Sequence, residues 1–71
     1  MRVSSRFLVA LKLHEWPAYR LAQRAGVNPN TLSRLINGIE PVRENDPRIL
    51  AVAEILGLAP EDAFEPEEDR Q

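Results

Sequence analysis

RLAQRAGVNPNTLSRLING, residues 20–38, places one glycine between two short stretches of helical periodicity. Leu21, Ala22 and Ala25 share one side of the first stretch, and Leu32, Leu35 and Ile36 share one side of the second. Gly26 is suited to end the first helix, because glycine enters the left-handed region without a Cβ clash. Asn28-Pro29 then restarts the chain with an N-cap residue followed by proline at the first helical position. Ala22, four positions before Gly26, leaves room for two helices to cross closely at about 90–120°. Leu21, Val27, Leu32 and Leu35 would fill the angle between them. The stretch therefore predicts two helices fixed at a sharp angle, with a polar outer row on the second.

Working outward, Ser4 or Ser5 can cap a helix running to about His14, with Phe7, Ala10 and Leu11 at i, i+3 and i+4 and Val3 and Leu8 beside them. Trp16-Pro17 stops it, since the residue before proline is pushed out of the α region. The second helix is expected over Pro17–Ala25, with Tyr19 also available inward. The third spans Pro29 to about Asn37 and is closed by Gly38. Residues 39–45 (IEPVREN) read as a polar loop. Asp46-Pro47 repeats the cap-plus-proline signal and opens a fourth helix ending at Leu56-Gly57, whose inward residues are Ile49, Leu50, Val52, Ala53 and Leu56. A short fifth helix is expected over Pro60–Phe64. With no strand-period alternation and no repeat, the class is all-α: a compact five-helix domain over residues 1–64 and an acidic flexible tail over 65–71 (EPEEDRQ). Trp16 and Phe64 read as core, Asn28 as a structural cap, and His14 as a surface or helix-end residue.

At 71 residues the chain is one domain near the lower limit for a self-supporting core, and its 44% apolar content is that of a globular protein. The absence of cysteine excludes disulfide frameworks and cysteine-based zinc sites. The apolar run Phe7–Leu11 is far short of a membrane span, which points to a cytoplasmic protein with no membrane partner. One histidine, no nucleophile paired with a base and no metal-ligand spacing argue against an enzyme, a metal site or a cofactor. The net charge of −2 hides a division: residues 1–38 carry six basic residues against Glu15 alone, net +5, while residues 39–71 are net −7. A chain divided in this way can still present a basic face to a polyanion.

The stretch 20–38 resembles the helix-turn-helix of the phage Cro and repressor family, also called Xre-like regulators. The similarity continues through "LSRLING" and "RILAVAEILGLAPEDAFE", covering roughly residues 5–64. It implies a five-helix, lambda-repressor-like DNA-binding fold whose second and third helices form the helix-turn-helix. The third helix would be the recognition helix, read in the major groove. Asn30, Ser33, Arg34 and Asn37 fall at i, i+3, i+4 and i+7, on the face opposite Leu32 and Leu35. Arg34 suits a bidentate contact with guanine and Asn30 one with adenine, while Ser33 can take a base or a phosphate. By the same resemblance, Thr31, Asn37 and the Gly38 N–H would anchor phosphates, and Arg20 and Arg24 would clamp the backbone and set register.

Three positions depart from the family pattern. Ala18 stands where a DNA-touching Gln is common, and Leu11 and Ile36 stand where the family often pairs an Arg with a Glu. Exchanging both members of a buried ion pair for apolar residues is tolerated, whereas exchanging one strands a charge. The loop 39–45 is about two residues longer than usual and either contacts DNA through Arg43 or only connects helices. The expected activity is sequence-specific binding to a double-stranded operator as a homodimer, repressing transcription. The acidic C-terminal half would then face away from DNA, toward the dimer contact or a protein partner. The rival is an adaptor or antitoxin-like subunit that uses the same helices to hold a protein.

Overall fold

The computed structural model describes residues 1–66, and five helices organise them. They are α1 (Ser5–Leu13), α2 (Ala18–Ala25), α3 (Pro29–Ile36), α4 (Pro47–Leu56) and α5 (Pro60–Ala63), bracketed by two short strands, β1 (Arg2–Val3) and β2 (Phe64–Glu65). Capping residues set the helix starts. The Ser4 hydroxyl accepts from the Phe7 N–H at 3.0 Å, the Asn28 side chain accepts from the Asn30 N–H at 2.8 Å, and Asp46 accepts from the Arg48 N–H at 3.1 Å. Proline occupies the first turn of α3, α4 and α5, where its missing N–H leaves no gap in the hydrogen-bond ladder.

Phe7, Leu21, Leu32, Leu35, Ile49 and Val52 form the fully buried centre, closed by Ala22, Ala53 and Ala63. Ala22 has no exposed surface, as its place at the α2–α3 crossing requires. Several expectations change in three dimensions. Tyr19 is 60% exposed and does not point inward. At 3.6 residues per turn it lies roughly 110° from the middle of the Leu21–Ala22–Ala25 stripe, too far round to be covered. On α1 only Phe7 is fully buried; Leu11 is half-buried, and Leu8, Val9 and Leu13 are exposed. The loop 39–45 is not wholly polar in role, since Val42 belongs to the core.

The chain ends also meet. β1 pairs antiparallel with β2, Arg2 opposite Glu65 and Val3 opposite Phe64. Phe64, expected at the end of the fifth helix and in the core, is instead a half-buried strand residue packed against the core. Ser4 locks this closure, because its N–H donates to the Ala63 carbonyl at 2.9 Å and its hydroxyl donates to the Asp62 carbonyl. Glu65, assigned from sequence to the flexible tail, is held by Arg2 through a 2.6 Å ion pair. The remainder of that expected tail, residues 67–71, lies outside the described residues.

The turn at Gly26 decides the angle between α2 and α3. Gly26 sits at φ 77°, its N–H donates to the Gln23 carbonyl at 3.1 Å, and the Val27 N–H donates to the Ala22 carbonyl at 2.8 Å. A Cβ there would meet nothing within 4 Å, so only backbone conformation opposes a side chain. Gly26→Ala should therefore destabilise the domain by about 1–2 kcal/mol without changing its native helical content. Thermal unfolding followed by circular dichroism measures this, and an unchanged melting temperature would contradict the conformational argument.

Candidate nucleic-acid interface

The outer face of α3 is assembled as its periodicity requires. Leu32 and Leu35 anchor the helix in the core, while Asn30, Ser33, Arg34 and Asn37 are exposed along the opposite side. Two side-chain pairs form on this helix. Arg34 Nη2 donates to the Thr31 hydroxyl at 3.4 Å, and Asn37 Nδ2 donates to Ser33 Oγ at 3.3 Å. The Asn30 backbone N–H is used by the Asn28 cap. Gly38 follows at φ 75°, and its N–H donates to the Leu35 carbonyl over 3.4 Å, beyond the usual length for such a bond.

Arg20 and Arg24 project from α2 and share one aromatic platform. The Arg20 guanidinium carbon lies 4.8 Å from the Trp16 ring centroid, and that of Arg24 lies 5.9 Å away. Both distances fall in the range of cation–π attraction, which orients a cation without neutralising it. Neither arginine makes an ion pair with a carboxylate among the described residues. Trp16, read from sequence as core, is half-buried: it packs against the core and its ring also supports these two charges. His14 stands beside it edge-to-face at 5.5 Å, and its Nδ1 accepts the Trp16 N–H at 3.0 Å.

The charge division along the sequence does not survive intact in space. Arg2 pairs with Glu65 and Arg6 with Asp62 (3.4 Å), so two cations of the basic half are set against the acidic half. The acidic half, in turn, does not all face away from the expected recognition helix. Glu40 Oε1 lies 3.2 Å from Arg34 Nε. Sequence reading missed this contact because Glu40 belongs to an irregular loop whose path no periodicity defines.

Behind Glu40 stands a network. Glu40 Oε2 accepts from Arg48 Nη1 at 2.7 Å, and Arg48 also grips Asp46 through Nε (2.9 Å) and Nη2 (2.7 Å). Asp46 has no exposed surface. It accepts the Arg48 N–H and the Arg43 N–H (3.2 Å) as well, so every buried lone pair that matters has a donor. Arg43 thus serves the loop through its backbone, while its side chain remains exposed. Asp46 read from sequence only as a helix cap; its adjacency to Arg48 across Pro47 was the visible sign of the fork.

Above the α1–α2 junction lies an apolar groove of about 700 Å³, to which Leu8, Leu11, Trp16, Pro17 and Ile36 contribute. Leu11 and Ile36 thus meet at one groove, and Ala18, the first residue of α2, lies on its edge. Among the described residues no group of acidic, histidine or cysteine side chains could hold a metal ion, and no helix is long and apolar enough to cross a membrane.

A family model for the Cro/C1-type helix-turn-helix DNA-binding domain matches residues 6–69. The chain belongs to this family. It is a DNA-binding domain of the helix-turn-helix class that acts in transcription regulation, and its five-helix fold agrees with that membership. No curated protein and no solved structure matches the chain significantly.

The buried carboxylate of this Cro/C1-type domain has a consequence for stability. Hydrogen bonding to Arg48, above all, holds the Asp46 carboxyl at about 2, well below its ordinary 3.8. A folded-state pKa below the unfolded one adds stability that is fully present above the unfolded value and is lost as pH falls through the folded value. The shift corresponds to about 2 kcal/mol. Asp46→Asn keeps a good helix cap but removes the charge. Urea unfolding should show it about 2 kcal/mol less stable than the parent at pH 7, with the gap closing as pH falls from about 4 toward 2. A gap independent of pH would mean that the charge is not what Asp46 contributes.

Proposed function

We propose that this domain binds a double-stranded operator as a homodimer, with α3 in the major groove, and represses transcription by occupying the site. Arg34, Asn30 and Ser33 read base edges. Thr31, Asn37 and the Gly38 N–H hold phosphates beside α3, and Arg20 and Arg24 clamp the backbone from α2. The observation that carries the reading is the exposed polar row of α3 set over buried Leu32 and Leu35, with two arginines on the preceding helix that pair with no carboxylate among the described residues. Cations not paired with carboxylates keep their full attraction for phosphate, and displaced counterions supply the driving force. The long Gly38 N–H bond is one that a phosphate oxygen can displace. A single small domain offers only a modest half-site interface, so a two-fold dimer on half-sites about one helical turn apart supplies the affinity. The setting is the cytoplasm, and the role is binding without catalysis.

Selection of bound sites from a random duplex library tests this reading directly. A two-fold symmetric consensus is expected. Arg34→Ala should weaken binding to it by about 1–3 kcal/mol and relax preference at one base pair per half-site. Arg20→Ala and Arg24→Ala should weaken all duplexes alike and each flatten the salt dependence by about one phosphate's worth. Failure to enrich any duplex at low salt, together with a stoichiometric co-purifying protein, would replace this reading with that of an adaptor.

A further inference from the structure

Arginine reads guanine by a bidentate contact, which requires its fork to be presented in one orientation. Arg34 is held. Glu40 Oε1 takes Nε at 3.2 Å, and Thr31 Oγ1 takes one Nη2 proton at 3.4 Å. Glu40 is itself fixed from two directions. The backbone N–H groups of Ile39 (2.9 Å) and Glu40 (3.2 Å) both donate to the carbonyl of Arg34, so the start of the loop is tied to the residue that it serves. Its second carboxylate oxygen is gripped by Arg48, which forks onto fully buried Asp46. A continuous chain, Arg34–Glu40–Arg48–Asp46, thus runs from the outer face of α3 to the cap of α4. Hydrogen bonds from Arg48 and Arg34 hold the Glu40 carboxyl below its ordinary value.

We propose that Glu40 is a positioning residue for base recognition, fixing Arg34 by its Nε so that the two terminal nitrogens make the end-on bidentate contact with guanine. The inference rests on the reading of Arg34 as a groove-facing base reader. With Nε occupied, the side-on pairing through Nε and Nη2 is closed, and the Nη1–Nη2 edge is the remaining fork. Glu40 also acts on affinity in the opposite sense. The two arginines and two carboxylates of the chain sum to no net charge, so Arg34 approaches the phosphates without an excess positive field. Non-specific attraction is lowered and sequence preference is raised by the same carboxylate.

The opposite signs make the proposal testable with the full chain. Binding is measured at one salt concentration on the selected consensus duplex, on that duplex changed at the base pair that Arg34→Ala relaxes, on that duplex changed at the base pair that Asn30→Ala relaxes, and on an unrelated duplex. Glu40→Gln is nearly isosteric at a half-buried position, and its melting temperature and circular dichroism report whether the fold is kept. It should reduce discrimination at the Arg34 pair by about tenfold, leave discrimination at the pair mapped to Asn30 unchanged, and raise affinity for the unrelated duplex by roughly threefold. The double variant Arg34→Ala/Glu40→Gln should discriminate no worse than Arg34→Ala alone, since both changes remove the same contact. Glu40→Ala should repeat the pattern.

If Glu40→Gln tightens all duplexes equally and preserves discrimination, Glu40 merely screens Arg34 and the proposal falls while Arg34 remains a reader. If discrimination drops at every pair together, Glu40 supports the fold and not the fork, and the proposal also falls. If Arg34→Ala changes no base preference, the reading of Arg34 fails first and takes the positioning role with it.

Discussion

The structure turns on one buried carboxylate. Asp46 has no exposed surface, yet it accepts two backbone N–H groups and the Nε and Nη2 donors of the Arg48 guanidinium. An ionised group out of contact with water is tolerable only when its lone pairs are satisfied, and here the donors come from the loop, from the start of α4 and from Arg48. That requirement orders the polypeptide between α3 and α4. The turn Arg43–Asp46 is closed by the Asp46 N–H donating to the Arg43 carbonyl at 3.0 Å, with Asn45 at φ 54°. Asparagine is among the few residues that adopt this left-handed geometry readily. Val42 is thereby delivered to the core, and Glu40 is delivered to Arg34.

The α2–α3 corner depends on a different constraint, that of close approach. Ala22 is fully buried on α2, and Leu21, Leu32 and Leu35 are buried in the same cluster between the two contacting helices. Because these residues hold α3 by one side only, its other side is committed to solvent or to a ligand. The flanking arginines of α2 are arranged by Trp16, whose ring supports both guanidinium groups without cancelling their charge. Basic residues elsewhere are treated differently, since Arg2 and Arg6 close the chain ends against Glu65 and Asp62. The net effect is a division of labour among cations that a count of charges along the chain does not reveal.

Most of the helices were legible in the sequence because their signals are local. Asn28-Pro29 and Asp46-Pro47 start α3 and α4 at the expected residues, and α2 and α4 end at the glycines expected to end them. The exposed row Asn30, Ser33, Arg34 and Asn37 was equally readable, since it follows from the burial of Leu32 and Leu35 at helical spacing. Less legible were residues whose surroundings come from distant segments. Tyr19 is large and apolar enough to suggest burial, but its position on α2 leaves it exposed, and Trp16 is only half-buried against the core. Phe64 and Glu65 leave the helix and tail expected of them because β1 offers a backbone partner more than sixty residues away in sequence.

By itself, then, the sequence determined the helices, their caps and the sharp turn at Gly26, since each of these depends on residues within a few positions of one another. It also determined which side of α3 is polar. Only the tertiary structure decided what that polar side touches. Arg34 meets Glu40, Glu40 meets Arg48, and Arg48 reaches buried Asp46, because the loop after α3 folds back while α4 packs into the core. Side-chain contacts of this kind depend on the path of an irregular segment, and hydrophobic periodicity carries no information about such a path.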